Sequence, residues 1–159
     1  MAKDWPVEKG RYLLGDPKSP IAVAVILNTP YNEISREEQA LLQRAVGRGA
    51  AIAGFLQTAN IGIAKLLLNL AANGSIKYLI LAGRESGHGT GEAVRALFAR
   101  GVDEGMTIVG AKALDAVVRG VPREAVEEVR RRVRLVDIAG TVDAKRLEEA
   151  IDRHLKGVV

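Results

Sequence analysis

Apolar runs and amphipathic runs alternate along this chain, and the alternation sets the expected order of elements. Residues 21–27 (IAVAVIL) are apolar throughout and rich in β-branched side chains, the pattern of a strand buried on both faces. Asn28-Thr29-Pro30 ends that strand. Ser35-Arg36-Glu37-Glu38 has the form of a capping box, in which serine and glutamate each satisfy a backbone amide, and it predicts a helix to about Val46. Gly47 and Gly49 end the helix, and residues 50–55 predict a second, small-residue strand. Ile63, Leu66, Leu67 and Leu70 recur at helical spacing, which predicts a helix over 61–72 that Asn73-Gly74 breaks. Residues 76–82 read as another buried strand, and 92–100, with charges on one face, as a helix stopped by Gly101.

The second half is less sharply patterned. Residues 106–110 predict a short extended piece, and 111–118 one or two helical turns. Pro122 suits the first turn of a helix to about Arg132. Residues 133–138 alternate weakly as a strand, Ala139-Gly140-Thr141 turn, and 143–156 form a terminal amphipathic helix. Residues 1–19, turn-rich around Trp5-Pro6 and Gly15-Asp16-Pro17, predict an irregular lead-in with Trp5 and Tyr12 folded against the remainder, residues 20–159. Strands separated by helices imply parallel α/β layers.

Composition narrows the function classes. A chain of 159 residues, 48 % hydrophobic, suffices for one domain with its own core. The absence of cysteine excludes a disulfide framework, a thiolate metal site and a cysteine nucleophile, and fits a reducing compartment. No signal-peptide pattern opens the chain and no apolar stretch approaches the length of a membrane span, so a cytoplasmic chain without a transmembrane segment is expected. The formal charge of +4 arises mainly between Arg119 and Arg134, where arginines interleave with glutamates as on a solvated helix face. With one Trp, three Tyr and two Phe, the chain lacks the aromatic and basic footprint of nucleic-acid binding, and no nucleic-acid partner is expected.

The chemistry concentrates in the loop after the strand at 76–82, Gly83-Arg84-Glu85-Ser86-Gly87-His88-Gly89-Thr90-Gly91. Its glycines allow close backbone approach to a bound group, and Thr90 can cap the following helix. In open α/β sheets ligands gather beyond the carboxyl ends of strands. The spacing is neither G-x-G-x-x-G nor a Walker loop, so no standard nucleotide fingerprint is present. Ser86 near His88 does not make a serine triad, because no G-x-S-x-G elbow exists. His88, one of two histidines, has glycine on both sides. Such an imidazole can cap its own loop, or it can reach a large flat partner as an axial metal ligand. His154, in the terminal helix, reads as a surface or cap-region histidine. Arg84 and Glu85 read as ligand-facing or as an ion pair. The loop from Gly54 to Gly62 is the second candidate. Gln57, Thr58 and Asn60 there either offer neutral hydrogen bonds to a ligand or, for Thr58 and Asn60, simply cap the next helix.

In their order and spacing, several segments resemble the A subunit of tetrahydromethanopterin S-methyltransferase, in its corrinoid-carrying domain. They are Trp5-Pro6-Val7 with Gly10, Gly15-Asp16-Pro17, Ala50-Ala51-Ile52-Ala53-Gly54, Thr58-Ala59-Asn60-Ile61-Gly62-Ile63, Gly87-His88-Gly89-Thr90-Gly91, Ile108-Val109-Gly110-Ala111-Lys112 and Val133-Arg134-Leu135-Val136-Asp137. The resemblance implies a Rossmann-like three-layer α/β domain with a mostly parallel sheet over residues 20–159. It also implies a bound cobamide, a vitamin B12 derivative whose cobalt takes His88 as lower axial ligand. In the family, Co(I) accepts a methyl group from a methylated pterin and passes it to coenzyme M, with other methyltransferase subunits as partners. The resemblance therefore implies a methyl carrier that does not turn over alone, and a histidine that leaves cobalt on reduction and returns on methylation. Glu85 or a backbone carbonyl would then accept the other ring N–H. Gly54, Gly83 and Gly110 would border the opening over the cobamide.

The chain also departs from the family pattern. Family members usually continue into a carboxyl-terminal membrane anchor, whereas this sequence stops at Val159, as a truncated chain or a free-standing homologue would. Gln57-Thr58-Ala59-Asn60 lacks the usual lysine and glutamate, and the approach to His88 is one residue shorter. A ligand-binding or regulatory domain that has lost the cobamide is the alternative reading.

Overall fold

The computed structural model describes residues 4–85 and 87–157. Residues 1–3 and 158–159, at the ends of the expected lead-in and terminal helix, lie outside the described residues, as does Ser86. Five strands form one sheet in the order β1-β3-β2-β4-β5: β1 (Tyr12–Leu14), β2 (Ile21–Ile26), β3 (Ile52–Leu56), β4 (Tyr78–Gly83) and β5 (Arg134–Asp137). All neighbours are parallel except β1, which runs antiparallel to β3. Helices α1 (Arg36–Gly47) and α5 (Ala144–Lys156) pack together, as do α2 (Ile61–Ala71) and α4 (Arg123–Arg132), and α3 (Thr90–Arg100) follows β4. The result is the Rossmann-like three-layer α/β fold that the sequence implied.

Strand β2 is buried at every position because each of its faces meets a helical layer. Ala22, Ala24 and Ile26 point into a cluster with Ile63, Leu67 and Leu70 of α2, Val94 and Leu97 of α3, and Val126 and Val129 of α4. Ile21, Val23 and Val25 point the other way, onto Leu41, Leu42 and Ala45 of α1 and Leu147 and Ile151 of α5. The side-chain period of two along a strand thus splits one apolar run between two cores. Along the outer edge of the α1–α5 pair, Arg44 bonds Glu148 at 3.0 Å, and Arg48 bonds Asp152 through two nitrogens at 2.9 and 2.7 Å. The Arg48 hydrogen bonds hold the Asp152 carboxyl below the usual aspartate range.

The capping box is made as its sequence predicts: Ser35 Oγ accepts from the Glu38 amide at 3.1 Å, and Glu38 Oε1 accepts from the Ser35 amide at 3.4 Å. Three local readings need correction. The lead-in is not wholly irregular, since Tyr12–Leu14 pairs with β3 as an edge strand too short to show a period in sequence. Residues 106–110 form no strand, only the isolated bridges Val102↔Ile108 and Thr107↔Val117. The reason is local: Asp103 Oδ1 accepts from the amides of Gly105 and Thr107 at 2.9 and 3.0 Å, a side-chain turn that competes with ladder pairing. Residues 111–118 form no helical turn, because Asp115 sits at φ 53, in the left-handed region.

The lead-in is fastened to α2 at Asn69, through both its side chain and its backbone carbonyl. Asn69 Oδ1 accepts from the amides of Val7 and Glu8 at 2.9 and 2.8 Å, and Trp5 Nε1 donates to the Asn69 carbonyl at 2.8 Å. Among the described residues, no helix is long and apolar enough to cross a membrane. Asn69→Ala is expected to cost about 2 kcal/mol, since two amides lose their acceptor. Urea titration checks the stability. The emission of the only tryptophan, Trp5, should shift to the red before global unfolding as the lead-in detaches.

Candidate functional site

The strand order fixes where a ligand can enter. The chain passes from β2 to β3 on one side and then crosses to β4 on the other, so a crevice opens beyond the carboxyl end of β2. A cavity of about 760 Å³ lies there, lined by residues 27–30 after β2, 57–60 after β3, 87–89 before α3, Glu92, and residues 112–114. Its volume falls within the range of cofactor and small-molecule sites. Helices α2 and α3 both begin beside it, with Asn60 and Gly89 at their cap positions. Their N-terminal amides favour electron-rich groups such as amide carbonyls.

His88 is exposed on the cavity wall. A Cβ placed on Gly87 would meet nothing within 4 Å, so the backbone beside the imidazole is not crowded. Gly89, at φ 75, makes the left-handed turn that admits the chain to α3. A Cβ on Gly89 would lie 3.3 Å from that of Ala113, so the loop and the 112–114 wall touch. Thr90 does not cap α3. It is the first helical residue, fully buried, and its hydroxyl donates to the Gln57 carbonyl at 3.3 Å, which joins the two loops. Gly91 is a point of close approach: a Cβ there would lie 2.5 Å from Glu85 Oε2 and 2.8 Å from Ile26 Cδ1.

In the second loop, Asn60 and Thr58 both accept from amides at the start of α2. Asn60 Oδ1 accepts from the Ile61 amide at 2.6 Å as the cap of α2, and Thr58 Oγ1 accepts from the Gly62 amide at 2.7 Å. Gln57 Nε2 donates to the Thr29 carbonyl at 2.9 Å. All three line the cavity. Asn60 uses both ends of its amide within the protein, whereas Gln57 uses its Nε2 and Thr58 an oxygen lone pair, which leaves Gln57 Oε1 and the Thr58 O–H to face a ligand.

Other expected site residues stand elsewhere. Glu85 pairs with Arg95, which also reaches Asp137 Oδ2 at 3.2 Å, so its carboxylate serves the junction of α3 with β5. Gly83 lies behind the cavity at φ 90, where a Cβ would be 2.6 Å from the Ile26 carbonyl oxygen; its carbonyl and amide bond Gly140 and Thr141. Gly54 lines a separate cavity of about 240 Å³ between the lead-in and α2, its Cα face covered by Tyr12. Gly110 is covered by the Arg100 guanidinium and does not line the larger cavity. His154 is half-buried, with Nδ1 2.8 Å from the Ala150 carbonyl and its ring tilted on Tyr78 at 4.8 Å. Among the described residues no group of three or more His, Cys, Asp or Glu could hold a metal ion.

Sequence reasoning missed Thr29, Glu92 and residues 112–115. Thr29 follows a buried strand, so the strand-end rule that selected His88 would have found it. Its Oγ1 is buried with no hydrogen-bond partner among the described residues. Glu92 Oε1 accepts from the Lys112 amide at 2.7 Å. Asp115 accepts from Asn60 Nδ2 at 3.0 Å and from Arg119 at 3.3 Å. The Asn60 bond, then the Arg119 bond and charge, hold its carboxyl below the usual aspartate range. A depressed folded-state value means that this latch is intact at neutral pH and lost as the pH falls through that value. Carboxyl carbon NMR should find Asp115 titrating below the ordinary range, and closer to it in Asn60→Ala.

Comparison with known proteins gives a consistent family. A family model described as the A subunit of tetrahydromethanopterin S-methyltransferase matches residues 1–157. The chain is 38 % identical to the A 1 subunit of tetrahydromethanopterin S-methyltransferase from Methanobrevibacter ruminantium, over 96 % of this chain and 60 % of that protein. It is 37 % identical to the A 2 subunit of the same organism, over 96 % of this chain and 76 % of the relative. With the A 1 subunit of Methanothermobacter marburgensis the identity is 36 %, over 94 % and 59 %. The chain thus spans about three-fifths of the length of the first of these relatives.

Proposed function

This chain belongs to the family of tetrahydromethanopterin S-methyltransferase A subunits, and on that premise we propose that it is a cytoplasmic corrinoid-binding methyl carrier. It would hold a cobamide in the cavity at the carboxyl end of β2 and work with methyltransferase subunits that donate and accept the methyl group, coenzyme M being the acceptor class. The observation that carries this reading is the meeting of His88 and the Gln57–Asn60 loop at one cavity, at a topological switch point, in a chain of this family. The residues present fit the group. One exposed imidazole suits a metal that arrives with its equatorial ligands already in a macrocycle. The charged side chains of the lining are Glu92 and Lys112, which suits an amide-fringed ring, and the Thr29 hydroxyl, unpartnered among the described residues, can bond one of its amides.

When bound, the cobalt supplies the nucleophile that takes up a methyl group and releases it to the acceptor. His88 would supply an imidazole nitrogen to the metal, and Gly87 and Gly89 keep bulk away from the ring's path. The bond from Thr90 to the Gln57 carbonyl holds the His88 loop against the second loop. The pairing of Glu85 with Arg95 anchors the near end of the loop.

Reconstitution tests the reading. The purified chain, mixed with hydroxocobalamin and passed through gel filtration, should carry cobalamin absorption bands with it. Electron paramagnetic resonance of the Co(II) form should show one axial protein nitrogen, whose splitting changes from a triplet to a doublet pattern when histidine is labelled with nitrogen-15. His88→Ala should lose that label dependence. A chain that elutes without bands would sink the carrier reading and leave the ligand-binding or regulatory alternative. Label-independent spectra in the wild type would remove His88 as ligand.

A further inference from the structure

The wall formed by residues 111–115 has features that the glycine loop does not account for. It runs between two left-handed positions, Gly110 at φ 80 and Asp115 at φ 53. Asp115 holds that conformation without being glycine, and its carboxylate is fixed by Asn60 and Arg119. Between these ends, the Lys112 amide donates to Glu92 on α3, and Ala113 rests against Gly89, the neighbour of His88. The segment is therefore a strap tied to α2, to α3 and to the histidine loop. It makes no α-helical turn, and its ties hold it in place at the cavity.

What the strap holds up is Leu114. Single exposed leucines are ordinary on protein surfaces, but this one, 94 % exposed, stands on the wall of the cavity that contains His88. None of the ties involves its side chain. Beside it, Lys112 brings a charged side chain to the same wall and Ala113 only a methyl, so Leu114 is the one large apolar side chain that the strap presents to the cavity. We infer that Leu114 is a ligand-contacting residue, laid by the strap against the apolar face or edge of a broad, flat macrocycle whose metal is held by His88. This rests on the carrier reading above and adds to it a contact on the wall formed by residues 112–114.

Two variants and one exchange measurement test the inference on the full chain, with hydroxocobalamin as probe. Leu114→Ser should weaken binding about tenfold, the scale expected for losing the burial of one leucine side chain. Leu114→Met should stay within about twofold, because methionine replaces a similar apolar volume. Circular dichroism should be unchanged in both, since the side chain is exposed. Hydrogen exchange at the amides of residues 111–115 should slow in the wild type when hydroxocobalamin is added. If the wild type binds but Leu114→Ser binds equally and exchange does not change, the inference fails alone, and Leu114 belongs to a protein contact or to none. If the wild type does not bind hydroxocobalamin, the carrier reading fails and takes this inference with it.

Discussion

Parallel hydrogen bonding of β2 on both of its edges is the constraint on which the rest of this structure depends. Its register with β3 runs from Ala22↔Ile52 to Ile26↔Leu56, and with β4 from Ile21↔Tyr78 to Ile26↔Gly83. Both edges being taken, both faces must also be covered, because an exposed apolar strand of this composition would cost burial on either side. That requirement places α1 and α5 on one face and α2, α3 and α4 on the other. It also sends the chain from β2 to α1 on one face and from β3 and β4 to α2 and α3 on the other. The gap between those departures is the cavity.

Glycine enters this arrangement where backbones must nearly touch. At the end of β4, Gly83 lies so near Ile26 that a Cβ would meet both its amide nitrogen and its carbonyl oxygen. The glycine there closes the sheet behind the site and is not among the residues that line the cavity. Gly91 has a similar office between α3, Glu85 and Ile26. The glycine density around His88 therefore has two physical origins. Gly87 leaves space beside the imidazole, while Gly83 and Gly91 let the loop lie close against the sheet that supports it.

Polar side chains around the cavity are mostly spent on internal bonds. Gln57 reaches Thr29, Asn60 caps α2 and reaches Asp115, and Glu92 holds the Lys112 amide. These bonds link the loops after β2 and β3 to α2, α3 and the strap, so the cavity wall is a connected frame rather than a set of independent loops. A frame of this kind loses less conformational entropy on binding than loose loops would. Its direct chemistry is correspondingly narrow: an imidazole, a few neutral polar groups, the charges of Glu92 and Lys112, and the apolar Leu114.

The sequence by itself determined the features that are written over a few consecutive residues. The apolar run of β2, the Ser35–Glu38 capping box, the helical spacing of Ile63, Leu67 and Leu70, and the glycine-flanked His88 all follow from local sterics, periodicity and backbone hydrogen bonding. The order of segments was specific enough to indicate the family as well. Tertiary structure alone decided the roles that depend on residues far apart in the chain. Nothing near Asn60 shows that it will bond Asp115, 55 positions away, or that Trp5 and Asn69, 64 apart, will fasten the lead-in. Residues 111–115 carry no period, because their conformation is imposed by ties to α2, α3 and Gly89 and not by their own preferences. Tyr12–Leu14 became a strand only because β3 offered it a free edge. Local energies select the elements; the packing of β2 between two neighbours, settled only when the whole chain is assembled, selects which side chains share the cavity.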